Sequence, residues 1–337
     1  MPELDMLSHN LPRDKKQLFS DNPIGNFVAI QSLETFQRVH KDFKPKPTDI
    51  YVSSYPKNGT TWTIALVDQL LKIYNPEHQI PKGITGGIIF SSCPWIEGLA
   101  MNETRWIESC LSYLENMKEP RVFKTHSAEK LIPESGVEGV NKRLIQVMRN
   151  PLDTFVSAWH HIYGKKNYQG SFDRFFEKVV LEDGFENGSW FEYHEEFFKA
   201  QEENRIDVLF LKYEDMKVDD GEEAIQKISD FLGLEIDFDA KKIAAECNFG
   251  NMKEKSNKFG FITPDRKPGD ATKWADSDPG SKDKPSNAHI RKGIVGDWKN
   301  YYNEDQLKQW EEYVEEACKK YVKTAQFFGK DYFFGRI

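Results

Sequence analysis

Short runs rich in β-branched and other apolar residues recur along the chain, at Ile50 to Ser54, Arg121 to Thr125, Arg143 to Met148 and Asp207 to Leu211, each followed by a helix-compatible or loop segment. The alternation predicts an α/β fold in which a central, mostly parallel sheet is flanked by helices, because successive parallel strands need crossover segments. After the first run, Trp62, Ala65, Leu66, Leu70 and Ile73 recur at helical spacing, and Ile64, Val67 and Leu71 widen the apolar face, so a largely buried helix is expected. After the third, Pro151 in "RNPLDTFVSAWHHIYG" stands where a first helical turn tolerates proline. Glu304 to about Ala325 reads as one long, charged amphipathic helix. Thr263 to Ala288 breaks the pattern: it is dense in Pro, Gly, Asp and Lys and carries neither period, which makes it a lid or a solvated insertion.

Composition narrows the class. At 337 residues the chain has the length of about two average domains, yet one large α/β domain also reaches this size, and a single domain over residues 1–337 is the expectation. An aromatic fraction of 13% suggests aromatic-lined pockets. The net charge of -8 argues against a broad nucleic-acid surface, which needs a basic face, so any anion site must be local. No run approaches the roughly 18 apolar residues of a membrane span, and the first twenty residues lack the apolar core of a signal peptide. Cys93, Cys110, Cys247 and Cys318 stand far apart without zinc spacing, which favours free thiols and a cytoplasmic location. Asn-x-Ser/Thr matches at Asn58, Asn102 and Asn187 are read as chance, the first because a glycan there would block the loop described next.

The chemistry concentrates in "IYVSSYPKNGTTWTIALV". A strand delivers the chain into a small-residue loop, Gly59 permits close backbone approach, and Thr60 and Thr61 open a helix whose first amides and positive dipole end suit anionic oxygens. Lys57 adds a point charge. This is a phosphate cradle, but not the ATP-type loop, whose lysine follows its second glycine; here the lysine precedes Gly59 by two residues.

The "YPKNGTTW" loop resembles the 5′-phosphosulfate loop of the cytosolic sulfotransferases, which use 3′-phosphoadenosine 5′-phosphosulfate (PAPS) as donor and release adenosine 3′,5′-bisphosphate (PAP); Asn58 replaces that family's serine. Further motifs follow in family order. "RNPLDTFVS" resembles the family's 3′-phosphate site, which implies Arg149 and Ser157 as ligands, and "IRKGIVGDWKN" resembles the loop that closes on the same phosphate, which implies Arg291, Lys292 and Gly293. "FKTHSAEKLIP" resembles the segment carrying the catalytic histidine, here His126, with Lys124 beside it, while "GSWFEY" and "KYEDM" match familiar stretches. The resemblance runs from about residue 20 to the C-terminus. It implies that Lys57, Asn58, Gly59, Thr60 and Thr61 hold the 5′ end, that Trp62 and Phe249 stack on adenine, and that Tyr213 and Cys247 lie near the base. Cys247 stands where the family often has threonine, so one hydrogen bond to adenine differs.

A donor with a phosphate at each end needs two anion sites, which an acidic protein must build locally. The resemblance assigns His126 as the base that takes the acceptor's proton, an ordinary imidazole pKa near 6.5 being suited to it. Lys57 would neutralise the leaving oxygen and Lys124 the sulfonate. No metal is required, and His160 and His161, about 100° apart on a helix, make a poor metal pair. By position Trp95, His161, Tyr163 and Phe90 are candidates either for lining a pocket for a small apolar or aromatic acceptor bearing a hydroxyl or amine, or for packing in the core, where buried aromatics are the norm. The family's short dimer motif is not matched, since Asn303, Glu304 and Lys308 stand where Thr, Val and Glu would, so a monomer or an atypical dimer is expected. Three rivals remain: a donor-dependent dehydratase of an allylic alcohol, distinguished by loss of water rather than gain of SO3 in the product; an ATP-dependent P-loop kinase, against which the 3′-phosphate motifs count; and a non-catalytic nucleotide-binding module, against which His126 and Lys57 count.

Overall fold

The computed structural model describes residues 41–76, 93–96, 111–164, 170–185, 187–254 and 290–336. Strands β1 (Ile50–Ser54), β2 (Val122–Thr125), β3 (Lys142–Met148) and β4 (Ile206–Lys212) form one sheet in the order β2-β1-β3-β4, every pair parallel. The expected runs therefore hold to within a residue at each end. All five residues of β1 are buried, as a central strand covered on both faces requires.

Register sorts the two faces. Tyr51 stands beside Phe123 on β2 and Leu144 on β3, while Val52 stands beside Ile145, so aromatic and large side chains gather on one face and β-branched ones on the other. Helix α1 (Thr60–Tyr74) covers the aliphatic face with Ile64, Leu66, Val67 and Leu70, joined there by Ile225 and Ile228 of helix α4 (Glu222–Leu232); Ile73, at the end of the expected face of α1, is exposed. Helices α2 (Pro151–Gly164), α3 (Trp190–Glu202), α5 (Glu304–Lys320) and α6 (Val322–Phe328) share the other core, in which Trp159, Trp190, Phe191, Trp310 and Phe333 are buried together. Much of the high aromatic content thus packs a helix-to-sheet interface rather than lining a pocket.

The long helix expected from Glu304 to about Ala325 is two. It pauses at Tyr321, and the next turn starts where Thr324 N and Oγ1 donate to buried Glu195 Oε2 at 2.9 and 3.1 Å, a bond to α3 that a continuous helix would use internally. Asn303, one of the positions that breaks the dimer motif, is the N-cap of α5: its side chain accepts from Gln306 N and its own backbone N–H donates to Gln306 Oε1, a capping box.

At the amino ends of the strands, Arg121 is fully buried. Its Nε and Nη2 donate to Asp49 at 2.7 and 2.5 Å, and Nη1 and Nη2 also reach the carbonyls of Leu114 and Lys44. This end of the sheet is a structural anchor; the candidate site residues follow the carboxyl ends.

Candidate active site

Four adjacent parallel strands deliver candidate residues at their carboxyl ends, the place where open α/β sheets bind ligands. His126 follows β2, the Tyr55–Gly59 loop follows β1, Arg149 follows β3 and Tyr213 follows β4. Because β1 lies between β2 and β3, the loop lies between His126 and Arg149.

The loop begins as a β-turn. Tyr55 O accepts from Asn58 N at 3.3 Å, Pro56 occupies the second position and Lys57 the third with φ 72°, the arrangement of a type II turn. A lysine there carries strain of about 1 kcal/mol that glycine would not. Gly59 follows at φ 109° and precedes α1, and a Cβ on it would stand 2.7 Å from the Tyr213 ring, so only glycine fits. No acidic side chain occupies the first turn of α1, which leaves its positive end for an external anion. Asn58 faces the other way: its side chain is buried against Thr154 and His194 rather than turned to the ligand side of the loop.

His126 is fixed by its partners. Its Nδ1 lies 2.8 Å from the Ser54 carbonyl, which can only accept, so Nδ1 donates, and in the neutral ring Nε2 carries the lone pair. Asn187 Nδ2 donates to the His126 carbonyl at 2.7 Å. Reading Asn187 as a chance glycosylation match hid this role, and nothing local in the sequence signals it. Trp95 stands edge-on to His126 with ring centroids 5.8 Å apart, and buried Lys124 lays its ammonium 4.0 Å from the Trp95 ring centroid, so these three candidates come together.

On the opposite side of the loop, Arg149 donates to Ile294 O at 2.8 Å, stacks on Tyr213 at 4.6 Å, and lies 3.5 Å from Asp153. Asp153 in turn accepts from the Gly296 and Trp298 amides at 2.7 and 2.9 Å, which ties the Arg291–Gly293 loop to α2. Arg291 and Lys292 both pair with buried Asp297, at 2.6 and 2.7 Å. Burial alone would raise the Asp297 carboxyl, but the Lys292 hydrogen bond and the Arg291 charge outweigh it and hold it below its usual range. Gly293, at φ 65°, packs so closely on Phe249 that a Cβ would fall 2.4 Å from its ring. Ser157 is half-buried one turn beyond Asp153 on the same face of α2, and its side chain makes no hydrogen bond among the described residues.

His160 continues that face. Burial first, then the Arg291 charge, pushes its imidazole down to about 3; its Nε2 lies in hydrogen-bond contact with the Tyr301 hydroxyl at 2.8 Å, and Tyr301 accepts from Arg291 at 3.4 Å. Glu214, from the "KYEDM" stretch, holds Asn150 N and Nδ2 at 2.9 and 2.8 Å and the Tyr332 hydroxyl at 2.7 Å, so the residue after Arg149 is locked to the C-terminal turn. The sequence reading weighed His160 only as half of a metal pair and gave Asp153, Glu214 and Asp297 no role, although all four stand inside stretches it quoted.

Trp62 is half-buried, edge-on to Tyr213 at 5.6 Å, and Cys247 is buried. His161 is half-buried on α2; Tyr163 lies near the end of α2, its side chain outside what is described, and Phe90 and residues 263–288 lie outside the described residues.

Residues 47–322 match the sulfotransferase domain. The chain belongs to the sulfotransferase family. Similar sulfotransferases include human sulfotransferase 1C2, 29% identical over 307 residues covering 88% of this chain and 92% of that protein. Rat sulfotransferase 1E1 is 30% identical over 304 residues, again covering 88% and 92%. The fold matches a mouse sulfotransferase complexed with PAP, 25% identical with a TM-score of 0.61 and coverage of 89% and 95%. It also matches retinol dehydratase complexed with androsterone and inactive cofactor PAP, 21% identical, TM-score 0.60, coverage 85% and 86%, a likeness of fold alone. The resemblance to cytosolic sulfotransferases and the parallel α/β architecture are thereby borne out. No helix among the described residues of this sulfotransferase is long and apolar enough to cross a membrane.

Proposed function

We propose that this sulfotransferase uses PAPS to sulfonate a hydroxyl or amine of a small, apolar or aromatic acceptor, with His126 as general base. The observation that carries this reading is the tautomer of His126, whose Nδ1 proton is held by the Ser54 carbonyl next to the lysine loop, leaving Nε2 as the proton-accepting atom. An anion site beside β3 fits too, since the Nε of buried Arg149 has no hydrogen-bond partner among the described residues.

PAPS supplies an electrophilic sulfur whose bond to the 5′-phosphate oxygen breaks as the acceptor oxygen bonds to it. His126 Nε2 takes the acceptor's proton, and Lys57 with the first amides of α1 offsets charge on the departing oxygen. Lys124 faces the sulfonate, its ammonium restrained by the Trp95 ring, and Trp95 with His161, Tyr163 and Phe90 lines the acceptor pocket. Gly59, Thr60 and Thr61 hold the 5′-phosphate through the loop, while Arg149, Ser157, Arg291, Lys292 and Gly293 grip the 3′-phosphate. Trp62 and Phe249 sandwich the adenine, with Tyr213 and Cys247 beside it. Cys93 and Cys318, free thiols among the described residues, fit a cytoplasmic setting.

Calorimetry tests the donor assignment: PAP binds in preference to ATP and AMP, and Arg149→Ala weakens PAP by roughly 10- to 100-fold, as expected for losing charge-assisted hydrogen bonds of about 1.5–3 kcal/mol. A preference for ATP overturns it.

We also propose that the chain does not dimerise through residues 299–308, because Asn303 is committed to capping α5. Gel filtration of the wild type is expected to show no dimer that substitutions in 299–308 dissociate; such a dimer contradicts the proposal.

A further inference from the structure

Asn58 is fully buried, whereas the neighbouring Lys57 is half-buried. Its Oδ1 lies 2.8 Å from Thr154 Oγ1, and Thr154 Oγ1 also lies 2.9 Å from the Asn150 carbonyl, so one hydroxyl hydrogen is shared between the loop after β1 and the residue after Arg149. Its Nδ2 reaches His194 Nε2 at 3.5 Å. His194 is an acceptor there, because its Nδ1 hydrogen is given to the Trp190 carbonyl at 2.7 Å and burial pushes the ring down to about 3, keeping it neutral. The amide is therefore a two-ended tie: one end reaches α2, the other α3, and the backbone between Asn58 and Tyr55 closes the turn that forces Lys57 to φ 72°.

We infer that the Asn58 side chain is a positioning residue that holds Lys57 in its left-handed conformation and in register with the Arg149 half of the site. The inference rests on the donor reading above. Strain at a residue bearing the reactive charge persists only when its neighbours over-determine it, and here the over-determination is visible in Thr154 and His194. A serine at residue 58 is about one bond too short to meet both partners.

Double-mutant kinetics with labelled PAPS test this. Asn58→Ser and Thr154→Val each lower kcat by about 10- to 100-fold, the range expected when a catalytic group is misplaced by an ångström or less. The PAP dissociation constant changes by less than about threefold, and the double variant is no slower than the slower single, because both remove one interaction. Thr154→Val keeps the side-chain shape, so it tests the tie even if Asn58→Ser folds poorly. Wild-type kcat in both singles, or losses that multiply in the double, overturns the tie while PAP binding by the wild type leaves the donor reading standing. A wild-type chain that does not bind PAP overturns both.

Discussion

Replacing His126 by Ala is expected to lower sulfonate transfer by about 100- to 10,000-fold, the contribution of a positioned general base, while PAP affinity stays at the wild-type level. The split follows from position. His126 sits after β2, on the side of the lysine loop away from Arg149, and its own backbone carbonyl is already held by Asn187, so losing the ring leaves the proposed donor site intact. Single-turnover rates with labelled donor, beside calorimetry with PAP, measure the two quantities separately. Unchanged turnover removes His126 as the base; equal losses in binding and rate assign it to donor binding instead.

The second large effect concerns stability. Asp49→Ala is expected to cost about 3–5 kcal/mol in urea unfolding, because Arg121 would remain charged in a buried site with its principal partner gone. Both side chains are essentially excluded from water, and the Phe43 and Phe123 rings flank the guanidinium at 5.6 and 5.3 Å, so no solvent compensates. The double variant Asp49→Leu/Arg121→Met is expected to lose less than Asp49→Ala alone, since no unpaired charge is left behind. A single variant as stable as wild type contradicts the assignment of this pair as an anchor.

What could be read from the sequence was what neighbours in the chain determine. The strand runs, the Pro-Lys-Asn-Gly turn and the opening of α1 are local, and their chemistry is written in consecutive residues. The supports of the site are not. Asp153 reaches Gly296 across 143 positions, Asn58 reaches His194 across 136, and Glu195 divides the C-terminal helix from 129 residues away. No periodicity encodes such pairs, so a single helix from Glu304 to Ala325 was the natural expectation. Composition misled in a similar way: rings such as Trp310 and Phe333 signal a large buried surface, and whether that surface is core or pocket depends on packing alone. Asn58 is the instructive letter: the resemblance implies that it helps hold the 5′ end of the donor, and its buried side chain bonds Thr154 of α2.

The order β2-β1-β3 also makes the sheet a gauge of molecular length. Neighbouring strands lie about 4.8 Å apart, so the residues that follow β2 and β3 are separated by roughly 10 Å across the lysine loop, a span fixed by backbone hydrogen bonds rather than by adjustable side chains. A nucleotide that carries its second charged group at a different distance from its reactive end would meet only half of the site, whatever its affinity for that half. Selectivity among donors would in that case be a property of inter-strand spacing, and side-chain redesign of the pocket would leave it largely untouched.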